Sequence, residues 1–301
     1  MPTEVTIPTR FGEFSALDYG GEGPTVLAVH ELFVHNAASW AEFADVIDGR
    51  ARVIALDREG HGQTRIPATP SIDICGALSD VVEHLGAVGE HAPILVGSGS
   101  GGWDVTLAAL TGAVRARGIV TMEATYCVSR DRLIEYVSQF AATDDVGGLW
   151  ATLELGWTGT EAEKDAQIQR MYGVYDTNWI IGEVRRDVWE ASVRRAFVRE
   201  GDGWLRQPVA DAMTGLAWER INAEPHPSPE AFAKLAVPAT FIVAEGGLYA
   251  YFAPEIDAMV ADDPNRRLRI VPAINNVLNT HPGIVADEVM ALLKATAGAA
   301  V

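Results

Sequence analysis

The sequence predicts an α/β fold in which a mostly parallel central sheet carries helices on both faces. Three observations support it. Short apolar runs that read as buried strands alternate with segments of helical spacing along most of the chain. One run, Ile94-Leu95-Val96, passes through Gly97-Ser98-Gly99-Ser100-Gly101-Gly102 directly into a helical pattern, Trp103 to Leu110, a strand–turn–helix arrangement. The alternation stops near Tyr126 and resumes near Ala239, so one sheet is interrupted by one long insertion.

The chain opens as a hairpin. Glu4-Val5-Thr6-Ile7 and Glu13 to Tyr19 alternate in polarity and end at the turn Gly20-Gly21-Glu22-Gly23-Pro24. Thr25 to His30 and Arg52 to Asp57 are strand runs. Ile72 to Leu85 places Ile74, Leu78, Val81, Val82 and Leu85 on one helical face. Pro93 to Val96 feeds the glycine turn, and Gly118 to Met122 is the next strand. From about residue 126 to 229 the chain is rich in helix formers, tryptophan and charge, and reads as a helical insertion. The core is then residues 1–125 and 230–301. Pro225-His226-Pro227-Ser228-Pro229 marks the return. Ala239 to Val243 and Arg267 to Val271 are the last strands, and Pro282 to Leu293 the last helix.

The net charge of −18 argues against nucleic acid and anionic membranes as partners, because both are polyanions. The N-terminus has no basic region followed by a long apolar run, so a cytoplasmic protein is expected. Cys75 and Cys127 lie far apart without metal-ligand spacing and read as free thiols; no metal site and no cofactor are expected. A homodimer is left open.

Several signatures occur together in one order. His30-Glu31 closes the first long apolar strand. Asp57-Arg58-Glu59-Gly60-His61-Gly62-Gln63-Thr64 forms a turn of the D-x-x-G-H-G-x-S type. The Gly97–Gly101 turn and the insertion follow. Over nearly its whole length the chain resembles the α/β-hydrolase superfamily, in its capped epoxide hydrolase and haloalkane dehalogenase-like form. The resemblance implies an α/β-hydrolase fold with residues 126–229 as a cap over the carboxyl ends of the strands. It also implies a nucleophile, an acid and a histidine in that order. Aligned on Gly97 and Gly101, the nucleophile position is Gly99. The acid position falls on Gly247, and the histidine position on Asn276 or Asn275. None of these side chains supplies the group the mechanism needs.

Other polar groups remain. Glu123 ends the strand Gly118–Met122 and, by resemblance to haloalkane dehalogenases, is a candidate acid. Glu31 stands where the family usually has glycine and points either into the pocket or to solvent. Ser100 is a second candidate nucleophile if the elbow shifts by one residue. The candidate catalytic residues are therefore Glu123, Glu31 and Ser100. Backbone amides at Ser100 and near Leu32 would form an oxyanion hole. His35, beside Leu32 and Phe33, is the histidine placed nearest the pocket. Ser98, Gly99, Asn276, Tyr249 and the insertion's Trp150 and Trp179 complete the candidate substrate-binding set, which calls for a small hydrophobic ligand. Three functions fit: a cofactor-independent, non-hydrolytic enzyme of lyase, isomerase or cyclase type acting on a natural-product-like molecule; a catalytically inert binding protein; and a hydrolase using Ser100 or water activated by Glu123.

Overall fold

The computed structural model describes residues 1–32, 34–68, 73–124, 129–141, 152–176, 184–210, 212, 224–226, 228–261, 263–274 and 276–297. Eight strands form the main sheet in the order β1-β2-β4-β3-β5-β6-β10-β11. β1 (Thr3–Thr9), β2 (Gly12–Asp18) and β4 (Arg52–Leu56) pair antiparallel in succession. β3 (Thr25–Val29), β5 (Ile94–Ser98), β6 (Gly118–Met122), β10 (Ala239–Ala244) and β11 (Arg266–Val271) continue from β4 in parallel.

The central strands are apolar throughout because both faces are covered. Leu27 and Val29 of β3, Leu95 of β5, Ile119 of β6 and Phe241 of β10 enter one core layer. There they meet α2 (Ile74–His84) and α3 (Ser100–Leu110). Val26 and Ala28, Val96, Val120 and Met122, and Ile242 enter the other, against α1 (Ala41–Ile47) and the last helix (Pro282–Ala295). This alternation is the two-residue period of a strand buried on both sides. Asp73 starts α2 by accepting the Gly76 N–H at 3.0 Å, so the helix begins at Ile74, inside the expected span Ile72 to Leu85.

Between β6 and β10 the chain forms helices Arg130–Ala141, Glu161–Val174 and Arg186–Arg195. It also forms a three-stranded antiparallel sheet of β7 (Thr158–Gly159), β9 (Gly203–Arg206) and β8 (Phe197–Glu200), in that order. The expectation of a purely helical insertion is corrected here. Phe197-Val198 and Trp204-Leu205 are strand formers, and Gly201-Asp202-Gly203 turns one run back on the other. Ties run from this region to the loops after β3 and β4. Arg195 places Nε and Nη2 on the buried Asp57 carboxylate at 2.8 Å each. Gln63 donates to the carbonyls of Arg195 and Phe197, and Asn36 to that of Ser192. Burial raises the Asp57 pKa, and Arg195 opposes that rise.

Candidate active site

The turn from β5 into α3 is built around Gly99. Its φ of 51° and ψ of −127° lie where side chains are strained. Its N–H donates to the Met122 carbonyl at 2.9 Å, which ties the elbow to the end of β6. A Cβ at Gly101 would collide with the carbonyl oxygens of Val29 and His30, so the turn packs directly on the end of β3. Gly99, not Ser100, therefore occupies the tip.

The space beside Gly99 is filled by another residue. A Cβ built on Gly99 would lie 2.7 Å from the Cβ of Glu31 and 3.0 Å from its Oε2. Glu31 thus lies against the elbow tip. Its Oε1 meets His35 Nδ1 at 2.7 Å, with 30% of the Glu31 and 11% of the His35 side chain exposed. With Nδ1 on a carboxylate, His35 keeps its proton there and presents Nε2 as the acceptor.

Glu123 follows β6 with φ 50°, a bend that turns its side chain toward β10. Oε1 accepts the Ala244 N–H, and a Cβ at Gly247 would overlap the Glu123 carboxyl. Oε2 is buried with no hydrogen-bond partner among the described residues. Burial raises the Glu123 pKa to about 7; the Ala244 and Tyr249 amides pull it down, and the charge of Glu31 pushes it up. Such a carboxyl is part protonated at neutrality and can give or take a proton.

Residues 32–288 match the family model described as the alpha/beta hydrolase family. The chain belongs to the alpha/beta hydrolase family. The crystal structure of E-2-(acetamidomethylene)succinate hydrolase superposes with a TM-score of 0.73 at 16% identity, covering 98% of this chain and 100% of that one. The thioesterase domain from the curacin biosynthetic pathway superposes at 0.67 and 14% identity, covering 96% and 99%. At those identities the likeness is one of fold. Protein phosphatase methylesterase 1 of Mus musculus is 34% identical over 104 residues, which are 33% of this chain and 27% of that protein; the Bos taurus protein matches equally. The chain thus matches about a quarter of the length of these curated relatives.

In this family member the Ser100 hydroxyl is engaged by its neighbours. Its Oγ accepts the Leu32 N–H at 2.8 Å and the Arg58 Nη1–H at 2.6 Å. Two expectations are corrected by this. Ser100 has a cation and an amide on its oxygen, with no base bonded to it, so it is not set as a nucleophile. The Leu32 amide is spent on that oxygen and does not face an incoming oxyanion. The Ser100 amide remains among the first N–H groups of α3, which no helical carbonyl reaches. Arg58 itself is fully buried and places Nη2 on Asp104 Oδ2 at 2.7 Å.

The remaining candidates fall in several places. Ser98 ends β5 half-buried, and Leu32 is buried. Asn276 takes a left-handed φ of 53° and starts the short helix Val277–Thr280; its carbonyl accepts the Asn279 and Thr280 amides. Tyr249 packs its ring against the core, while its amide faces Glu123. Phe33, Trp150, Trp179, Asn275 and Cys127 lie outside the described residues; Cys75 is half-buried and forms no disulfide among the described residues. Sequence reasoning missed Arg58 as a site-shaping residue. Its place inside the D-x-x-G-H-G-x-S-type turn was the available signal. Among the described residues no group of acidic, histidine or cysteine side chains is arranged to hold a metal, and no helix is long and apolar enough to cross a membrane.

Proposed function

We propose that this alpha/beta hydrolase family member is a cofactor-independent general acid–base enzyme that moves protons on a small hydrophobic molecule. The chemistry is of lyase, isomerase or cyclase type and passes through no covalent acyl intermediate. Residues 126–229 act as its cap. One observation supports this reading above the others: the Glu31 carboxylate, paired to His35, fills the volume a nucleophile's side chain would need at Gly99. On the alignment through Gly97 and Gly101, the nucleophile, acid and histidine positions fall on Gly99, Gly247 and Asn276 or Asn275, none of which carries the group, while Glu31, His35 and Glu123 follow the neighbouring strand ends. His35 Nε2 takes a proton from substrate, Glu31 steadies the imidazolium that forms, and protonated Glu123 delivers a proton elsewhere on the molecule. The substrate's proton count balances, since one leaves to His35 and one arrives from Glu123; His35 then gives its proton to solvent and Glu123 takes one from solvent, which resets both groups. The Ser100 amide at the N-terminus of α3 is placed to stabilise negative charge that develops meanwhile.

A second reading is hydrolysis by water that His35 activates, favoured by the local likeness to a methylesterase. Two assays separate the readings. Elimination of 5-nitrobenzisoxazole, which needs only a positioned base, is expected to proceed and to be lost in His35→Gln. Turnover of p-nitrophenyl acetate lost in His35→Gln but kept in Ser100→Ala supports the second reading. Ester turnover that disappears in Ser100→Ala overturns both.

A further inference from the structure

We infer, resting on the elbow as the functional site, that its ligand carries a basic nitrogen whose N–H donates between the Glu31 and Glu123 carboxyl groups, and that carboxylate ligands are refused. β3 and β6 flank β5 on either side, so the backbones of Glu31 and Glu123 stand about two strand spacings apart, roughly 10 Å, with Gly99 between them. Glu31 reaches inward over Gly99, and Glu123 lies against Gly247. The two carboxyl groups thus border the tip of the elbow from either side.

The donors and acceptors there are unbalanced. Glu123 is 6% exposed, yet its Oε2 has no hydrogen-bond partner among the described residues. A buried carboxyl oxygen left open is costly unless a ligand completes it. Glu31 has already committed Oε1 to His35 Nδ1. The Arg58 guanidinium, bonded to Ser100 at the elbow, is fully buried and held by Asp104. An anion entering here meets two carboxyl groups and no released cation, whereas an ammonium offsets both. The chain's net charge of −18 acts in the same direction at long range.

Three unreactive probes of one shape test the inference: benzylammonium, benzyl alcohol and benzoate, titrated calorimetrically into the full chain at pH 8. Benzylammonium is expected to bind about tenfold more tightly than benzyl alcohol, and benzoate not to bind, as expected of a charge-assisted hydrogen bond in a partly buried site. Glu123→Gln, shown folded by near-ultraviolet circular dichroism, is expected to erase the preference. Glu31→Gln, half-exposed and so the milder change, is expected to reduce it. Benzoate binding as tightly as the amine overturns the inference. So does an amine preference unchanged in both variants, or no amine binding at millimolar concentration. Because the probes do not react, the result is independent of whether proton-transfer activity is found.

Discussion

His30 and His35 lie five residues apart on the same stretch of chain after β3, and the structure uses them in opposite ways. His30 is fully buried. Its Nδ1 donates to the Glu31 carbonyl, and its Nε2 accepts the Arg58 N–H at 3.1 Å. His61 packs against it with ring centroids 4.9 Å apart and bonds the Glu59 carbonyl at 2.8 Å. Burial, together with the nearby charge of Arg58, drives the His30 pKa well down and the His61 pKa to about 3. Both rings stay neutral and fixed. His35 has one nitrogen on Glu31 and the other unassigned, at a partly open position. The two regions contain the same residue types. Full burial with every nitrogen of His30 bonded makes structure; partial exposure with one valence open leaves a group able to move protons.

The largest expected effect breaks this comparison directly. His35→Gln should lower proton-transfer turnover by roughly 10²–10⁴-fold, the usual contribution of a positioned base, with little change in melting temperature. His30→Ala should do the reverse. Losing a buried ring and two hydrogen bonds, one of them to the Glu31 carbonyl, should cost about 3 kcal/mol of stability, measured by urea unfolding, with turnover per folded molecule reduced no more than a few-fold. A His30→Ala variant that stays stable but loses turnover would dissolve the distinction.

Gly99→Ser probes the same contrast from the elbow. The new Cβ would stand 2.7 Å from the Cβ of Glu31, at a φ of 51°. Strain and overlap together should cost about 3 kcal/mol and confer no esterase activity. Adding Glu31→Gly should recover part of that stability, because the overlap disappears and only the backbone strain remains. A single Gly99→Ser variant as stable as the parent would mean that Glu31 does not hold this volume.

Most of the fold was legible in the sequence; the contents of the site were less so. β6 and the elbow fell where the apolar runs and glycines put them, because a strand buried on both faces leaves an uninterrupted pattern. The hairpin of β8 and β9 was missed, although Gly201-Asp202-Gly203 signals a turn, because its strands are only four residues each. The Glu31 position stood out in the sequence, yet its direction depends on how closely the end of β3 approaches β5, a distance no local pattern encodes. The partners of Ser100 were hidden for a similar reason. What disarms it is a guanidinium arriving from 42 residues earlier in the chain.

The pH dependence of stability sets the two regions against each other. Stability rises with pH wherever the unfolded state binds more protons. The lowered pKa values of His30 and His61 give stability that is present above 6.5 and is lost as pH falls toward about 3. The raised pKa of Glu123 gives stability present below its ordinary 4.5 and lost as pH rises through about 7. Between those limits two histidines oppose one carboxyl, so the parent should gain stability from pH 4.5 to 6.5. Glu123→Gln removes the opposing part. Relative to the parent it should gain up to roughly 3 kcal/mol at pH 8 compared with pH 4, read from urea midpoints at both values. A difference that does not change with pH would mean that Glu123 titrates as an ordinary surface carboxyl.

Ser100→Ala is the smallest change and separates a supporting hydroxyl from a reacting one. Ser100 Oγ accepts from Leu32 and Arg58, so its removal leaves an amide and one guanidinium N–H without that acceptor. Arg58 keeps its ion pair with Asp104, which limits the loss. The expected cost is about 1–2 kcal/mol. Because the Leu32 amide lies next to Glu31, its release also loosens the backbone that aims the carboxylate. Turnover should therefore fall by a few-fold through KM, with the pH profile of kcat unchanged, since His35 and Glu123 still carry the protons. A kcat loss of more than about 10³-fold in Ser100→Ala would place the serine among the reacting groups and return the elbow to nucleophilic chemistry.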